Sequence, residues 1–318
     1  MEVLFILFVL FISVNGLQKS KLILKIAQKI EQGSYIPLKL VITTFFLSMF
    51  VTNDIALIVM VPLTLALNIN KKDILVILEA LSANSGSALT PIGNPQNLFI
   101  YWFYNIPLDS FIKTIAPFSL IFLVLLVLSS LFIKTKTNIV EKEIKKVDKK
   151  AYIYGVLLIV VLLTVLHILP ILSGLVVVTF AILFDRKSLK IDYALLLSFL
   201  FFFGIADNLE TILKLFLNED AKHIFLYSAL SSQIISNVPA TLLFVNLTSN
   251  WKDLLWGTNV GGFGSLFGSL ANLIAYRIYI TSKHNQNTKK FTLKFFIFGY
   301  ISFVVSLVIY FVTMNYSS

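Results

Sequence analysis

Apolar runs and short polar interruptions alternate along the whole chain. Residues 2–17 read as a first apolar span that closes at Asn15-Gly16. Glu2 stands where a signal peptide would carry a basic residue, so this segment is expected to stay as a span. Residues 18–35 are amphipathic and carry Lys19, Lys21, Lys25 and Lys29, a pattern that predicts a segment lying at a membrane interface. Residues 36–51 and 55–69 are apolar arms on either side of Thr52-Asn53-Asp54. Each arm is short for a crossing, which takes about 20 apolar residues. The pair is either one bent span or a re-entrant hairpin with its tip at the polar residues. Residues 73–104 predict a helix broken through Ser82–Asn97, and 111–133 a plain span.

After a charged loop at 134–150 the pattern resumes. Spans are predicted at 152–168, 170–184 and 192–208, the first two joined by a tight turn near Pro170. Residues 221–249 repeat the two-arm pattern around Ser236-Asn237-Val238. Residues 253–280 predict a second broken helix, and 295–314 the last span.

The two breaks carry most of the information. Ser82 to Leu98 reads SANSGSALTPIGNPQNL, and its twin runs from Gly257 to Leu273. Polar, Gly/Pro-interrupted backbone at membrane depth is tolerated only where it is buried in protein or lines a cavity. Paired interruptions of this kind point to a transporter's binding site. Laid together at one constant offset, Asn84 meets Asn259, Gly86 meets Gly261, Thr90 meets Ser265, Gly93 meets Gly268 and Asn97 meets Asn272. At a second offset Asn53 meets Asn237 and Ala56 meets Ala240. The expected fold is therefore an all-α polytopic membrane protein built from two repeats, 1–133 and 151–318, on either side of the 134–150 loop. Each repeat holds a hairpin and a broken helix.

Composition narrows the chemistry. The chain of 318 residues is 58% hydrophobic and has no cysteine, which removes disulfides, thiolate metal sites and Cys nucleophiles. His167, His223 and His284 are scattered and make no metal spacing, so no transition metal and no organic cofactor is expected. The net charge of +10 reads as positive-inside loops rather than as a nucleic-acid surface. With the 134–150 loop in the cytoplasm and both two-arm segments re-entrant, all of the 26 Lys and Arg except Lys113, Lys214, Lys222 and Lys252 fall on the cytoplasmic side. This places the amino terminus outside, gives the two repeats opposite orientations in the membrane, and predicts a site between them near the midplane.

At a hairpin tip, the helix that starts offers N–H groups to an anion and the helix that ends offers carbonyls to a cation. The tip asparagines add amides that both donate and accept. The expected substrate contacts are Thr52, Asn53, Asn84, Ser85, Gly86 and Thr90, with Ser236, Asn237, Thr241, Asn259, Gly261 and Ser265. Gly86, Gly261 and Gly262 are expected to let backbone approach a ligand. The expected contacts of a coupling cation, Na⁺ or H⁺, include Asn53, Asp54, Gly93, Asn94, Asn237 and Gly268. Asp54 is either a cation or proton carrier, as an ionisable group at membrane depth suggests, or an N-cap of the second arm. Asp207 and Glu210 are placed near the outer surface, and Glu79 has no assigned role.

At FVTNDIALIVMVP, SALTPIGNPQNL and SQIISNVPATLL the chain resembles the ion transporter superfamily. That group includes divalent anion–sodium symporters, citrate permeases, arsenite permeases and sodium/proton antiporters of the NhaD type. The resemblance implies a homodimer in which a mobile domain moves against a scaffold as an elevator. It also implies that Ser48 and Ser232 help hold Na⁺, and that the tip asparagines bind substrate carboxylate. In the sodium–carboxylate branch the tips read Ser-Asn-Thr, whereas here the third position is Asp54 in one tip and Val238 in the other. Members also carry further spans ahead of the segment that matches 2–17, so the chain is either a minimal form or begins upstream.

The leading reading is a secondary transporter of the cytoplasmic membrane that moves a small anion, a carboxylate or an inorganic oxyanion, with Na⁺ or H⁺. Sodium/proton antiport through Asp54 and arsenite efflux are the alternatives. An enzyme is not expected: Asp54 and Asp207 are predicted too far apart in depth for an aspartyl dyad. A passive channel would not need two inverted breaks.

Overall fold

The computed structural model describes residues 2–25, 34–67, 69–133, 147–194, 196–197, 200–201, 204, 223–285 and 287–315. The expected interfacial segment 18–35, the 134–150 loop and the 192–208 span fall partly outside these residues, and Asp207 and Glu210 fall wholly outside them. Among the described residues the protein is helical. Three helices among the described residues are long and apolar enough to cross a bilayer: α1 (Glu2–Lys19), α6 (Leu108–Leu131) and α13 (Thr288–Asn315). The chain divides into two compact units, 1–29 with 141–205 and 30–140 with 206–318.

In the first unit, α1 packs against α7 (Lys150–Val165) and α8 (Leu175–Phe184). The helix runs past Asn15-Gly16, where the sequence predicts its end, and both residues are used in packing. The Asn15 amide donates to Ser188 O at 2.8 Å and Lys190 O at 3.0 Å. Gly16 lies under the Tyr154 ring, which a Cβ there would meet at 2.2 Å. Tyr154 Oη in turn donates to Asp185, which is ion-paired with Lys150 at 3.2 Å. Helices α7 and α8 are shorter than full spans. A 3-10 turn, Ile171–Gly174, leads into α8 after Pro170, which sits outside both helices as proline requires.

The second unit holds both hairpins and both breaks. Helices α2 (Ile36–Val51) and α3 (Asn53–Ala66) are separated by Thr52 alone. Helices α9 (Ile224–Ile235) and α10 (Asn237–Phe244) are separated by Ser236 alone. Asn53 and Asn237 thus open helices rather than standing in a loop. Both arms of the first hairpin pack on α4 (Lys72–Ser87), and both arms of the second pack on α11 (Trp251–Val260). After the breaks come α5 (Pro95–Phe103) and α12 (Leu270–Ile280). Helix α5 packs on α10, and α12 packs on α3, so each hairpin also meets the far half of the opposite broken helix.

Both breaks are narrower than composition predicts. Helix α4 continues through Ser82, Asn84 and Ser85 to Ser87 because its hydroxyls turn to carbonyls instead of competing for N–H groups. Ser85 Oγ donates to Leu81 O at 2.9 Å, Ser87 Oγ to Asn84 O at 3.1 Å, and Ser82 Oγ across to Val41 O at 2.7 Å. Thr258 Oγ1 does the same to Leu254 O at 2.9 Å in α11. Side chains such as Leu120, Val124 and Leu128 on α6 and Ile301, Val304 and Val308 on α13 are exposed. Apolar surface on this scale belongs against lipid rather than water.

Candidate functional site

Thr52 and Ser236, the links between hairpin arms, adopt φ 72°, ψ 152° and φ 74°, ψ 155°. This region is nearly reserved for glycine, and side-chain residues held there carry strain of about 1–3 kcal/mol. The strain lets each following helix begin against a break: Asn53 N donates to Gly93 O at 3.0 Å, and Asn237 N donates to Gly268 O at 3.0 Å. The two tips are thus tied in the same way to equivalent loops.

A chain of amides starts at the first tip. Asn53 Nδ2 donates to Asn84 Oδ1 at 3.1 Å, and Asn84 Nδ2 donates to Asn272 Oδ1 at 2.8 Å. Asn272 Nδ2 then holds Gly262 O and Ser265 O at 2.9 and 3.0 Å. The reciprocal bond runs from Asn259 Nδ2 to Asn97 Oδ1 at 2.7 Å, and Asn97 Nδ2 holds Ser87 O, Ala88 O and Thr90 O. Each half therefore reaches into the other's break through the same pair of positions. Asn53, Asn84, Asn237 and Asn259 are all at most 4% exposed. Gly262 faces this cluster: a Cβ there would lie 3.3 Å from Asn237 Nδ2 and 3.9 Å from Asn84 Oδ1.

Other expected contacts lie beside the cluster and act on backbone. Thr90 Oγ1 donates to Met49 O at 2.6 Å, and Ser265 Oγ donates to Gln233 O at 2.7 Å, so each loop is pinned to the end of a hairpin arm. Asn94 caps α5 through Asn97 N and donates to Ser87 Oγ at 3.0 Å. Ser85 is turned to its own helix, and Thr241 Oγ1 donates to Asn237 O at 2.9 Å. Ser48 and Ser232 donate to Phe45 O at 2.8 Å and Ser228 O at 2.6 Å. They also lie against the two glycines. A Cβ on Gly86 would meet Phe45 O at 2.3 Å and Ser48 Oγ at 2.7 Å, and one on Gly261 would meet the Ser232 side chain at 2.4 Å. The room these glycines leave is taken by α2 and α9, and only Gly262 opens onto the amides.

The starting helices are less open to an anion than their sequence suggests. Two donors of the first turn of α3 are engaged: Asn53 N by Gly93 O, and Asp54 N by Asn53 Oδ1 at 3.0 Å. Asp54 itself is half-buried beside the tip. The structure adds three residues that the sequence reading leaves off the contact list. Asn97 and Asn272 are already paired by the repeat, and that pairing was the available signal. Gln233 donates to Gly261 O and Phe263 O and accepts from Ser265 N at 2.8 Å. It stands opposite Met49, so the repeat gave no sign of it.

Among the described residues no group of His, Cys, Asp or Glu could hold a metal ion. A basic cavity of about 730 Å³ lies at the start of α4, lined by Lys71, Lys72, Asp73, His284, Lys290 and Lys294 among others. Burial and then the Lys72 and Lys283 charges hold His284 below the ordinary histidine range.

A cluster of neutral amides and backbone ends of both polarities can bind an anion through N–H groups and a hard cation through oxygens. The citrate transporter family model matches residues 1–256. An uncharacterized transporter of Methanocaldococcus jannaschii is 37% identical over 97% of this chain and 87% of its own length. The inner membrane protein YbiR of Escherichia coli is 36% identical over 75% of this chain and 68% of its own length.

Proposed function

Because this chain belongs to the citrate transporter family, we propose that it is a secondary active transporter that moves a small anion, a di- or tricarboxylate or an inorganic oxyanion, with Na⁺ or H⁺. The observation that carries the reading is the pair of strained tips, Thr52 and Ser236, each delivering a buried asparagine to the break of its own repeat. Strain of this kind persists where the surrounding structure over-determines it, and it collects at ligand sites.

In this reading Asn53, Asn84, Asn237 and Asn259 present amide N–H groups to the anion, with Thr52 and Ser236 beside them. Backbone near Gly262 supplies the close approach. Carbonyls and side-chain oxygens around Ser48, Asp54, Gly93 and Asn94, and around Ser232 and Gly268, serve the cation. The two repeats lie in opposite senses in the membrane, with the basic loops in the cytoplasm. Every one of these residues falls in a single compact unit, which supports movement of that unit as one body, the elevator motion that the family resemblance implies for a homodimer. Sodium/proton antiport is the second reading. The half-buried carboxylate of Asp54 favours it, as does the loss of a tip hydroxyl at Val238.

A thermal-shift screen of the purified protein separates the two. It uses Na⁺ against K⁺ at several pH values, with citrate, succinate, sulfate, phosphate and arsenite added singly. A ligand that binds the folded state raises its apparent stability by mass action. The transporter reading expects stabilisation by at least one of the anions. Stabilisation by Na⁺ alone, lost at low pH, would replace it with antiport.

A further inference from the structure

Glu79 is fully buried in α4, with no exposed surface. Its Oε1 accepts from Thr64 Oγ1 of α3 at 2.5 Å. Its Oε2 is buried and has no hydrogen-bond partner among the described residues. The residue lies about 10 Å along α4 from Lys72 at the helix start, at a rise of about 1.5 Å per residue. The elements packed on α4 bring charged and titratable groups with them. Helix α2 brings Lys39, α3 brings Asp54, and α6 brings Asp109 with Lys113. Helix α12 brings Tyr276, Arg277 and Tyr279, and α13 brings Lys289, Lys290, Lys294, Tyr300 and Tyr310. Helix α4 itself adds Lys72 and Asp73. None of these is hydrogen-bonded or ion-paired to Glu79; Asp73 is paired with Lys294 and Asp109 with Lys113.

The repeat shows that packing alone does not ask for an acid here. Leu254 holds the same place before Asn259 that Glu79 holds before Asn84, and Leu254 is equally buried. An isolated carboxyl at membrane depth is costly and marks proton relays and ion pathways. Glu79 also stands at a joint. Its own helix carries Asn84, and its Thr64 partner is on the helix that begins with Asn53.

We propose that Glu79 is the proton-binding site through which transport is coupled to pH. In each cycle the carboxylate takes up one proton on the side where the anion binds, forming the neutral acid. It returns that proton to water on the side where the anion leaves. Three side-chain oxygens, the two of Glu79 and the hydroxyl of Thr64, are too few to enclose Na⁺, so the ion taken up here is a proton. The inference rests on the transporter reading for its role in the cycle, but the titration of Glu79 does not.

Infrared difference spectra of the purified protein in lipid, recorded between acid and alkaline pH, read the titration directly. Among the bands of the other carboxyls, wild type should show one C=O stretch of a protonated, buried carboxylic acid that is missing from Glu79→Gln. Glu79→Leu, which installs the residue of the equivalent position, should lose it too, and Asp54→Asn should keep it. A buried-acid band unchanged in both Glu79 variants, a band lost only in Asp54→Asn, or no such band in wild type would overturn the proposal. Citrate counterflow in proteoliposomes then tests the role: its pH dependence should disappear in Glu79→Gln. Counterflow absent from wild type would remove citrate transport while leaving the spectral result standing. Counterflow with the same pH dependence in wild type and Glu79→Gln would remove the coupling role.

Discussion

Thr52 and Ser236 have the same backbone angles and the same task, and neither is glycine. Replacing each by glycine should relieve about 1–3 kcal/mol of strain, less about 0.5–1 kcal/mol for the freer unfolded chain. The expected result is a higher midpoint of thermal unfolding in detergent for Thr52→Gly and Ser236→Gly. A lower midpoint would mean that the two side chains make contacts worth more than the strain. Glycines elsewhere in the breaks meet the opposite demand. Gly86→Ala drives a Cβ into the Phe45 carbonyl, which cannot swing away as a side-chain end could, and overpacking of that kind costs about 1–3 kcal/mol. Gly155→Ala, with nothing within 4 Å of the new carbon, is the control and should be neutral or stabilising. Equal losses in the two variants would show that the α2–α4 contact is looser than its geometry.

At the scale of elements, the two broken helices are joined by a reciprocal pair of amide bonds, Asn84 to Asn272 and Asn259 to Asn97. Double-mutant cycles of alanine variants should give coupling of about 0.5–3 kcal/mol within each bonded pair and little for the crossed pair Asn84 with Asn97. Uniform coupling across all four would contradict a two-fold arrangement of struts. This level was partly legible in the sequence. Asparagines and glycines set in apolar runs betrayed both the breaks and the tips, because nothing in lipid tolerates free backbone without a purpose. The extent of the helices was not legible. Serines that look like helix breakers prolong α4 by bonding to carbonyls, and Asn15-Gly16 continues α1 because its partners, Ser188 and Tyr154, lie far away in sequence. Gln233 escaped for a related reason: three of its side-chain bonds reach the loop after α11, and no local pattern announces them.

For the whole molecule, the sequence pointed to a multi-pass membrane protein of a transporter family, and the helical fold and the family match agree. The grouping into two compact units was less visible, since each is assembled from segments distant in the chain. Hydrophobic pattern marks a helix but not its neighbours: Gly16 of α1 lies against Tyr154 of α7, and Asn15 and Lys19 donate to carbonyls of Lys187, Ser188 and Lys190 after α8. The tip and break residues all lie in the second unit, where hairpins and breaks contact one another in matched fashion. This concentration is what a single site serving both repeats requires.

In the transporter proposed here the two tip asparagines bind the transported anion. The direct measurement is counterflow of labelled citrate, succinate, sulfate, phosphate and arsenite into proteoliposomes holding wild type, Asn53→Ala or Asn237→Ala. Correct folding is to be checked by size-exclusion profile. Counterflow of at least one anion by wild type, and flux at the level of empty liposomes for both variants, is the expected result. Flux by both variants equal to wild type, or no counterflow of any of the five anions by wild type, would contradict it.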